Sequence, residues 1–251
     1  MKKLEREEQI LQLLQAEGSV TVGQLSQLME VSAVTIRSDL KDLEAEGVLL
    51  RTHGGAVLSE KVRRTVCRPE NGESDKQTIG RLARGLIREN SWIFLGSGST
   101  CLALAQELKD YPVNVMTNSL PVADLLSRSA RGQVIMPGGA VFGSDYPFLY
   151  GDLLHASLDS VALSQAFLGV SGIDPDFGYS LSNAVECSIF ARLRQISKEV
   201  VVLADASKFG KTSFMGAWPI SVADTLVTAG ALEDQWLDWC SQGGVKVVKP
   251  E

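Results

Sequence analysis

From Ser74 onward, short apolar runs alternate with amphipathic stretches. The apolar runs are Trp92–Leu95, Val113–Thr117, Gln133–Met136, Ala166–Val170, Val200–Ala204 and Leu226–Thr228. Helix-period segments fit Ser99–Leu108, Pro121–Arg128, Asn183–Ile196 and Glu233–Ser241, and the capping-box pattern Ser74-Asp75-Lys76-Gln77 opens another helix to about Arg88. A strand apolar at every position needs cover on both faces, and alternating helices supply it. The pattern therefore predicts an α/β fold with a mostly parallel, covered sheet.

Residues 1–58 read differently: they contain no proline and are helical in character. Leu4, Ile10, Leu11, Leu13 and Leu14 form the apolar stripe of a first helix that Gly18 ends. Thr21 caps a second, Val22 to Met29, with Leu25, Leu28 and Met29 inward. Ser32 caps a third, ending near Glu46, with Ile36, Leu40 and Leu43 inward. Two short extended runs, Val48–Arg51 and Ala56–Leu58, flank a Gly54-Gly55 turn. The 251 residues correspond to about 1.7 domains. The expected division is 1–58, a linker 59–73 carrying Lys61, Arg63, Arg64 and Arg68, and 74–251.

Composition excludes several classes. Cys67, Cys101, Cys187 and Cys240 form no Cys-x-x-Cys pair, so neither a zinc ribbon nor a disulfide framework is expected. With two histidines, His53 and His155, no metal site is expected, and no motif asks for a cofactor. The N-terminal Met1–Glu8 has no apolar h-region and no apolar run approaches ~18 residues. A cytoplasmic protein with no membrane partner is the expectation.

Two helices joined by a tight turn, the second rich in small polar residues, suggest a helix-turn-helix. Ser26 is small where the helices cross, and Val31 can tuck the turn into the core. Ser32, Ala33, Thr35, Arg37 and Ser38 project from the start of the third helix, where small polar residues allow entry into a major groove. Arg37 and Lys41 can reach phosphates or guanine edges, and Arg51 and His53 sit near the tip of a wing-like hairpin. A small helical interaction module fits the same periodicity. Net charge is −6, which by itself argues against a polyanion partner. The acidity, however, lies in residues 70–251, with 14 basic and 20 acidic residues, whereas residues 1–69 hold ten of each.

The run Val31–Leu40, continued by Leu43-Glu44 and Arg51-Thr52-His53-Gly54-Gly55-Ala56, closely resembles the winged helix-turn-helix of the DeoR-type (DeoR/GlpR) family of bacterial transcription regulators. It departs at Ser38, where the family usually has a second arginine, and so lacks one potential phosphate contact. The resemblance implies double-stranded operator DNA as partner.

In the second half, Trp92–Leu95 runs into Gly96-Ser97-Gly98-Ser99-Thr100 and a helix. Glycines allow close backbone approach, and free N–H groups at a helix start with two hydroxyls form an anion cradle for a single phosphate. An ordinary strand-to-helix turn is the plainer alternative. The segment is neither a Walker loop nor a dinucleotide fingerprint. Further loops at strand ends carry Asn118 and Ser119, Gly138 and Gly139, Ser171 and Asp174, and Lys208, and in parallel sheets such loops converge on one crevice. Lys208 is the candidate phosphate cation; Asp174 and Glu186 could hold sugar hydroxyls, although Glu186 also suits a helix cap.

This half also resembles the DeoR-type sensor domain, similar in fold to ribose-5-phosphate isomerase. In that isomerase the loops matching Gly96–Thr100 and Asp205–Lys208 bind phosphate, and a glutamate matching Glu186 is the base. Here the isomerase's acid-rich turn reads Ser171-Gly172-Ile173-Asp174, and its lysine before a triple glycine is missing at Gly178-Tyr179-Ser180. Proton shuttling needs a base and carbonyl polarisation, so binding fits this chain better than turnover. The resemblance thus implies a homo-oligomeric (dimer or tetramer) repressor of a carbohydrate operon that responds to a phosphorylated sugar. A sugar-phosphate isomerase with an appended helical module is the alternative.

Overall fold

A computed structural model describes residues 3–17, 19–29, 31–45, 49–52, 54–58 and 74–250. The chain divides into two compact units, Met1–Gly72 and Glu73–Glu251. Gly18, His53, Cys67 and the expected linker 59–73 lie outside the described residues.

In the first unit the elements are α1 (Lys3–Glu17), β1 (Ser19–Thr21), α2 (Val22–Met29), α3 (Ala33–Ala45), β2 (Leu49–Thr52) and β3 (Gly55–Leu58). The three strands form an antiparallel sheet in the order β1-β3-β2. Ile10, Leu14, Leu25, Met29, Ile36, Leu40 and Leu43 meet Val20, Leu49 and Ala56 in one core. The caps are as expected. Thr21 Oγ1 accepts the Gln24 N–H at 3.2 Å while Gln24 Oε1 accepts the Thr21 N–H at 3.2 Å. Ser32 Oγ accepts the Thr35 N–H at 3.2 Å. One expectation fails: Leu28 is 64% exposed. Leu25 and Met29, one turn apart, take the core contact of this short helix, and Leu28 falls beyond their stripe.

The second unit runs α4 (Asp75–Arg84), β4 (Trp92–Leu95), α5 (Ser99–Glu107), β5 (Asn114–Thr117), α6 (Leu120–Ser127) and β6 (Val134–Ile135). There follow β7 (Ala140–Phe142), β8 (Phe148–Tyr150), α7 (Asp152–Leu158), β9 (Leu163–Gly169), β10 (Gly172–Asp174) and β11 (Gly178–Leu181). It ends with α8 (Ala184–Ile196), β12 (Ser197–Leu203), β13 (Met215–Trp218), β14 (Thr225–Val227), α9 (Asp234–Gln242) and β15 (Lys246–Val248). The main sheet has seven strands in the order β15-β14-β12-β9-β4-β5-β6, and every recorded pairing in it is parallel. The expected helix from Ser74 stops at Arg84 rather than Arg88, because the chain turns at Gly85-Leu86, but its capping box is present.

Side-chain alternation splits the core into two layers. Ile93, Leu95, Phe167, Val201 and Leu203 face α4, α5 and α6 through Ile79, Ala83, Leu104 and Val122. Phe94, Ala166, Leu168, Val200 and Val202 face α7 and α8 through Leu154, Ile189, Phe190 and Leu193. Chain order reverses at β4: β5 and β6 extend the sheet on one side, and β9 returns to pair on the other. At such a switch point the loops leaving the two strands diverge and open a crevice at their carboxyl ends.

Candidate functional site

The outward side of α3 presents Ser32, Val34, Arg37, Ser38 and Lys41 as exposed, with Ala33 and Thr35 half-buried. Its inward side is Ile36, Asp39, Leu40 and Leu43. Ala33 and Arg37 face Arg51, Thr52 and Gly54 across a concavity of about 500 Å³ that also takes in Gly23, Ser26 and Gln27. The Ser32 and Thr35 hydroxyls bond each other at 2.9 Å, so both serve the helix start. Ser26 Oγ donates to the Val31 carbonyl at 2.5 Å, which pins the turn between α2 and α3. Arg51 lies against Glu44: its N–H donates to Oε1 at 3.0 Å and its guanidinium is 3.9 Å from Oε2.

A residue the sequence reading passed over orients α3. Asp39 is 2% exposed and accepts from Arg6 Nε at 2.8 Å and Nη2 at 3.0 Å. Lys3 Nζ adds a 2.6 Å bond to Asp42. α1 thus fastens the inner face of α3 through a bidentate pair, leaving Arg37 and Lys41 outward.

In the second unit a cleft of about 360 Å³ opens at the β4/β9 switch point. It is lined by Ser97, Gly98, Ser99 and Thr100 after β4, by Gly169–Ser171 after β9, by Glu186 at the start of α8, and by Lys208. Gly98 has φ +100°, a left-handed conformation that leaves the first amides of α5 without a side-chain cap. Below that turn Cys101 is fully buried, and burial pushes its thiol up to about 12, so the floor of the cradle is neutral. Lys208 ends a 3₁₀ turn capped by Asp205, and it makes no ion pair among the described residues.

Glu186 does two jobs. It is the third residue of α8, where Asn183 Oδ1 accepts its N–H at 3.0 Å and Asn183 Nδ2 donates to its Oε2 at 2.7 Å. Its Oε1 accepts from Ser97 Oγ at 2.9 Å, tying the cap of α8 to the cradle loop.

Other expected residues lie elsewhere. Asp174 does not line the cleft; its Oδ1 accepts the N–H groups of Asp176 and Phe177, both at 3.0 Å, closing the β10–β11 turn. Gly138 lies close to Leu153 of α7, and Gly139 (φ +147°) lies against the backbone of Tyr150 in β8, so neither lines the cleft. Ser119 is buried, bridges Phe148 and donates its N–H to Thr117 Oγ1 at 3.0 Å. Asn118 lines a small recess beside the cleft.

The opposite wall comes from residues the sequence reading did not single out: Phe142, Gly143, Ser144, Asp145, Tyr146 and Phe148 of the hairpin β7–β8. The signal was present: two β-forming runs, Val141-Phe142 and Phe148-Leu149-Tyr150, flank Gly143-Ser144-Asp145.

Comparison with known proteins matches both units. Residues 6–62 fit the DeoR-like helix-turn-helix domain and residues 72–229 fit the DeoR C-terminal sensor domain. The chain is 31% identical to the HTH-type transcriptional repressor GlcR of Bacillus subtilis, covering 96% of this chain and 94% of that one. It is 32% identical to the L-fucose operon activator of Haemophilus influenzae, covering 97% and 98%. With the lactose phosphotransferase system repressor of Lactococcus lactis the figures are 31%, 96% and 97%. Among solved structures, ribose 5-phosphate isomerase A of Methanocaldococcus jannaschii matches 53% of each chain at 18% identity with a TM-score of 0.39. With both of its units matched, and with relatives above 30% identity along nearly its whole length, the chain belongs to the DeoR family of helix-turn-helix transcriptional regulators.

Proposed function

We propose that this chain is a repressor of a carbohydrate-utilisation operon whose operator binding is modulated by a phosphorylated sugar. The observation that carries this reading is the pairing of two features in one chain. One unit exposes cations on a helix braced from behind; the other holds Lys208 and the uncapped α5 amides in a single cleft. Relatives named for sugar operons support the carbohydrate assignment. We place the domain limits at 1–58 and 74–251, joined by a linker at 59–73.

Ser32, Ala33, Thr35, Arg37, Ser38 and Lys41 meet the major groove, and Arg51 and His53 meet the backbone beside it. Gly98–Thr100 and Lys208 hold the phosphate, and Ser97, Ser171, Asn118 and Glu186 face the sugar. A homo-oligomer, dimer or tetramer, brings paired winged units to operator half-sites, and it acts in the cytoplasm. Ligand controls DNA only through unequal affinity for two arrangements of those units. A mobility-shift titration on the chain's own upstream DNA tests this. At least one sugar phosphate should shift the operator affinity about tenfold, a coupling of roughly 1.4 kcal/mol. If no sugar phosphate altered binding, the effector half of the proposal would fall.

A further inference from the structure

Beside the cleft lies a recess of about 20 Å³, large enough for a single small group. It shares Ser97, Gly169 and Glu186 with the cleft and adds Asn118, with Phe94 and Phe190 among its walls. Asn118 is 3% exposed. Its Nδ2 donates to the Leu149 carbonyl at 3.2 Å, and the Asn118 backbone carbonyl accepts the Leu149 N–H at 2.8 Å. That fixes the amide's orientation, because a flip would set oxygen against oxygen. Asn118 Oδ1 is therefore a buried acceptor with no donor among the described residues. Such an atom calls for a donor from outside the chain.

The polar neighbours are acceptors too. Ser97 spends its proton on Glu186 Oε1 at 2.9 Å, and Glu186 Oε2 already receives Asn183 Nδ2 at 2.7 Å. The side-chain oxygens around the recess thus offer acceptor capacity at Asn118, Ser97 and Glu186, and the Ser97 hydroxyl proton is already taken. A phosphate oxygen, itself an acceptor and an anion, is repelled there.

We propose that the recess is a second subsite of the cleft, taking a hydrogen-bond-donating substituent of the effector, a hydroxyl or a protonated amine on its sugar. The proposal rests on the sugar-phosphate reading above and deepens it: the cradle selects phosphate, and Asn118 selects among the sugars that carry it. Asn118 also holds Leu149 of β8, so the donor that fills the recess contacts the residue that anchors the opposite wall.

Calorimetric titration of the full chain with inorganic phosphate, ribose 5-phosphate, glucose 6-phosphate and glucosamine 6-phosphate tests this. The wild type should bind one or more of the sugar phosphates more tightly than inorganic phosphate. Asn118→Leu should weaken that sugar phosphate about tenfold and leave inorganic phosphate within about twofold. Glu186→Gln, which turns one acceptor into a donor, should act in the same direction, and thermal melting of each variant verifies that it folds. Lys208→Ala should weaken both classes of ligand. If Asn118→Leu and Glu186→Gln left the ratio of sugar phosphate to phosphate unchanged, the recess would be a water or packing site and the subsite would be lost. If the wild type bound none of the four probes, the effector reading itself would fall, and the subsite with it.

Discussion

Arg37 and Asp39 stand two residues apart on α3 and have opposite environments. Arg37 is exposed, whereas Asp39 is 2% exposed and gripped by Arg6 from α1. Helical geometry places them on different faces, and only the outward one can meet a polyanion. Replacing Arg37 with alanine should weaken operator binding and make the slope of log affinity against log salt shallower by about 1 if the contact is to a phosphate. A salt titration of the mobility shift measures it, and an unchanged slope with unchanged affinity would remove Arg37 from the interface. The outward residues could be read from helical periodicity. Arg6 could not be told from any surface arginine, because its partner lies 33 residues away and periodicity carries no information about tertiary pairs.

Among the secondary-structure elements, β1 was the one in the first unit that the sequence did not announce. Ser19–Thr21 is too short to show an alternating pattern and becomes a strand only by pairing with β3. That pairing explains Gly55. A Cβ there would sit 1.8 Å from the Val20 carbonyl oxygen, so the glycine is required by a neighbouring backbone as well as by the turn. Gly55→Ala should destabilise the winged unit by about 1–3 kcal/mol. Hydrogen exchange should show lost protection across β1–β3, while the protein keeps its fluorescence spectrum, since Trp92, Trp218, Trp236 and Trp239 all lie in the other unit. Undiminished protection would mean that β1 gives way without penalty. The hairpin β7–β8 had a legible turn, but its place across the cleft from Ser97 comes from its contacts with Asn118 and Ser119, which belong to another strand end.

The burial that builds the sheet also sets a pH response for the entire chain. Burial raises the Cys101 thiol to about 12 and the Cys240 thiol to about 11, and it raises the Tyr179 hydroxyl as well. The unfolded chain releases the thiol protons near 9, so above that pH the folded state binds more protons than the unfolded one. Stability from these groups is complete below about pH 9 and is lost as pH climbs towards 12. The urea midpoint followed by tryptophan fluorescence should therefore fall between about pH 8.5 and 11, and Cys101→Ala should flatten part of that fall. An identical pH slope in that variant would show that Cys101 contributes nothing to it.

Read alone, the sequence determined the two-unit order, every helix except α7, six of the seven strands of the parallel sheet, and the glycine-rich loop after β4. All of these are local: they follow from apolar period, caps and glycines within a few residues of one another. It also placed the acidity in residues 70–251, leaving residues 1–69 neutral. Strand order was not legible, since nothing in Leu163–Gly169 says that it pairs with Trp92–Leu95 across some 70 residues of chain. That one long-range pairing makes the switch point, and with it the cleft. Other tertiary contacts made Asp174, Gly138 and Gly139 local supports of neighbouring segments, brought a hairpin wall across the cleft, and left Asn118 with a buried oxygen and a place in the recess that Glu186 also lines. Local propensity chooses the elements; which loops face one another is decided only when distant apolar faces are buried together.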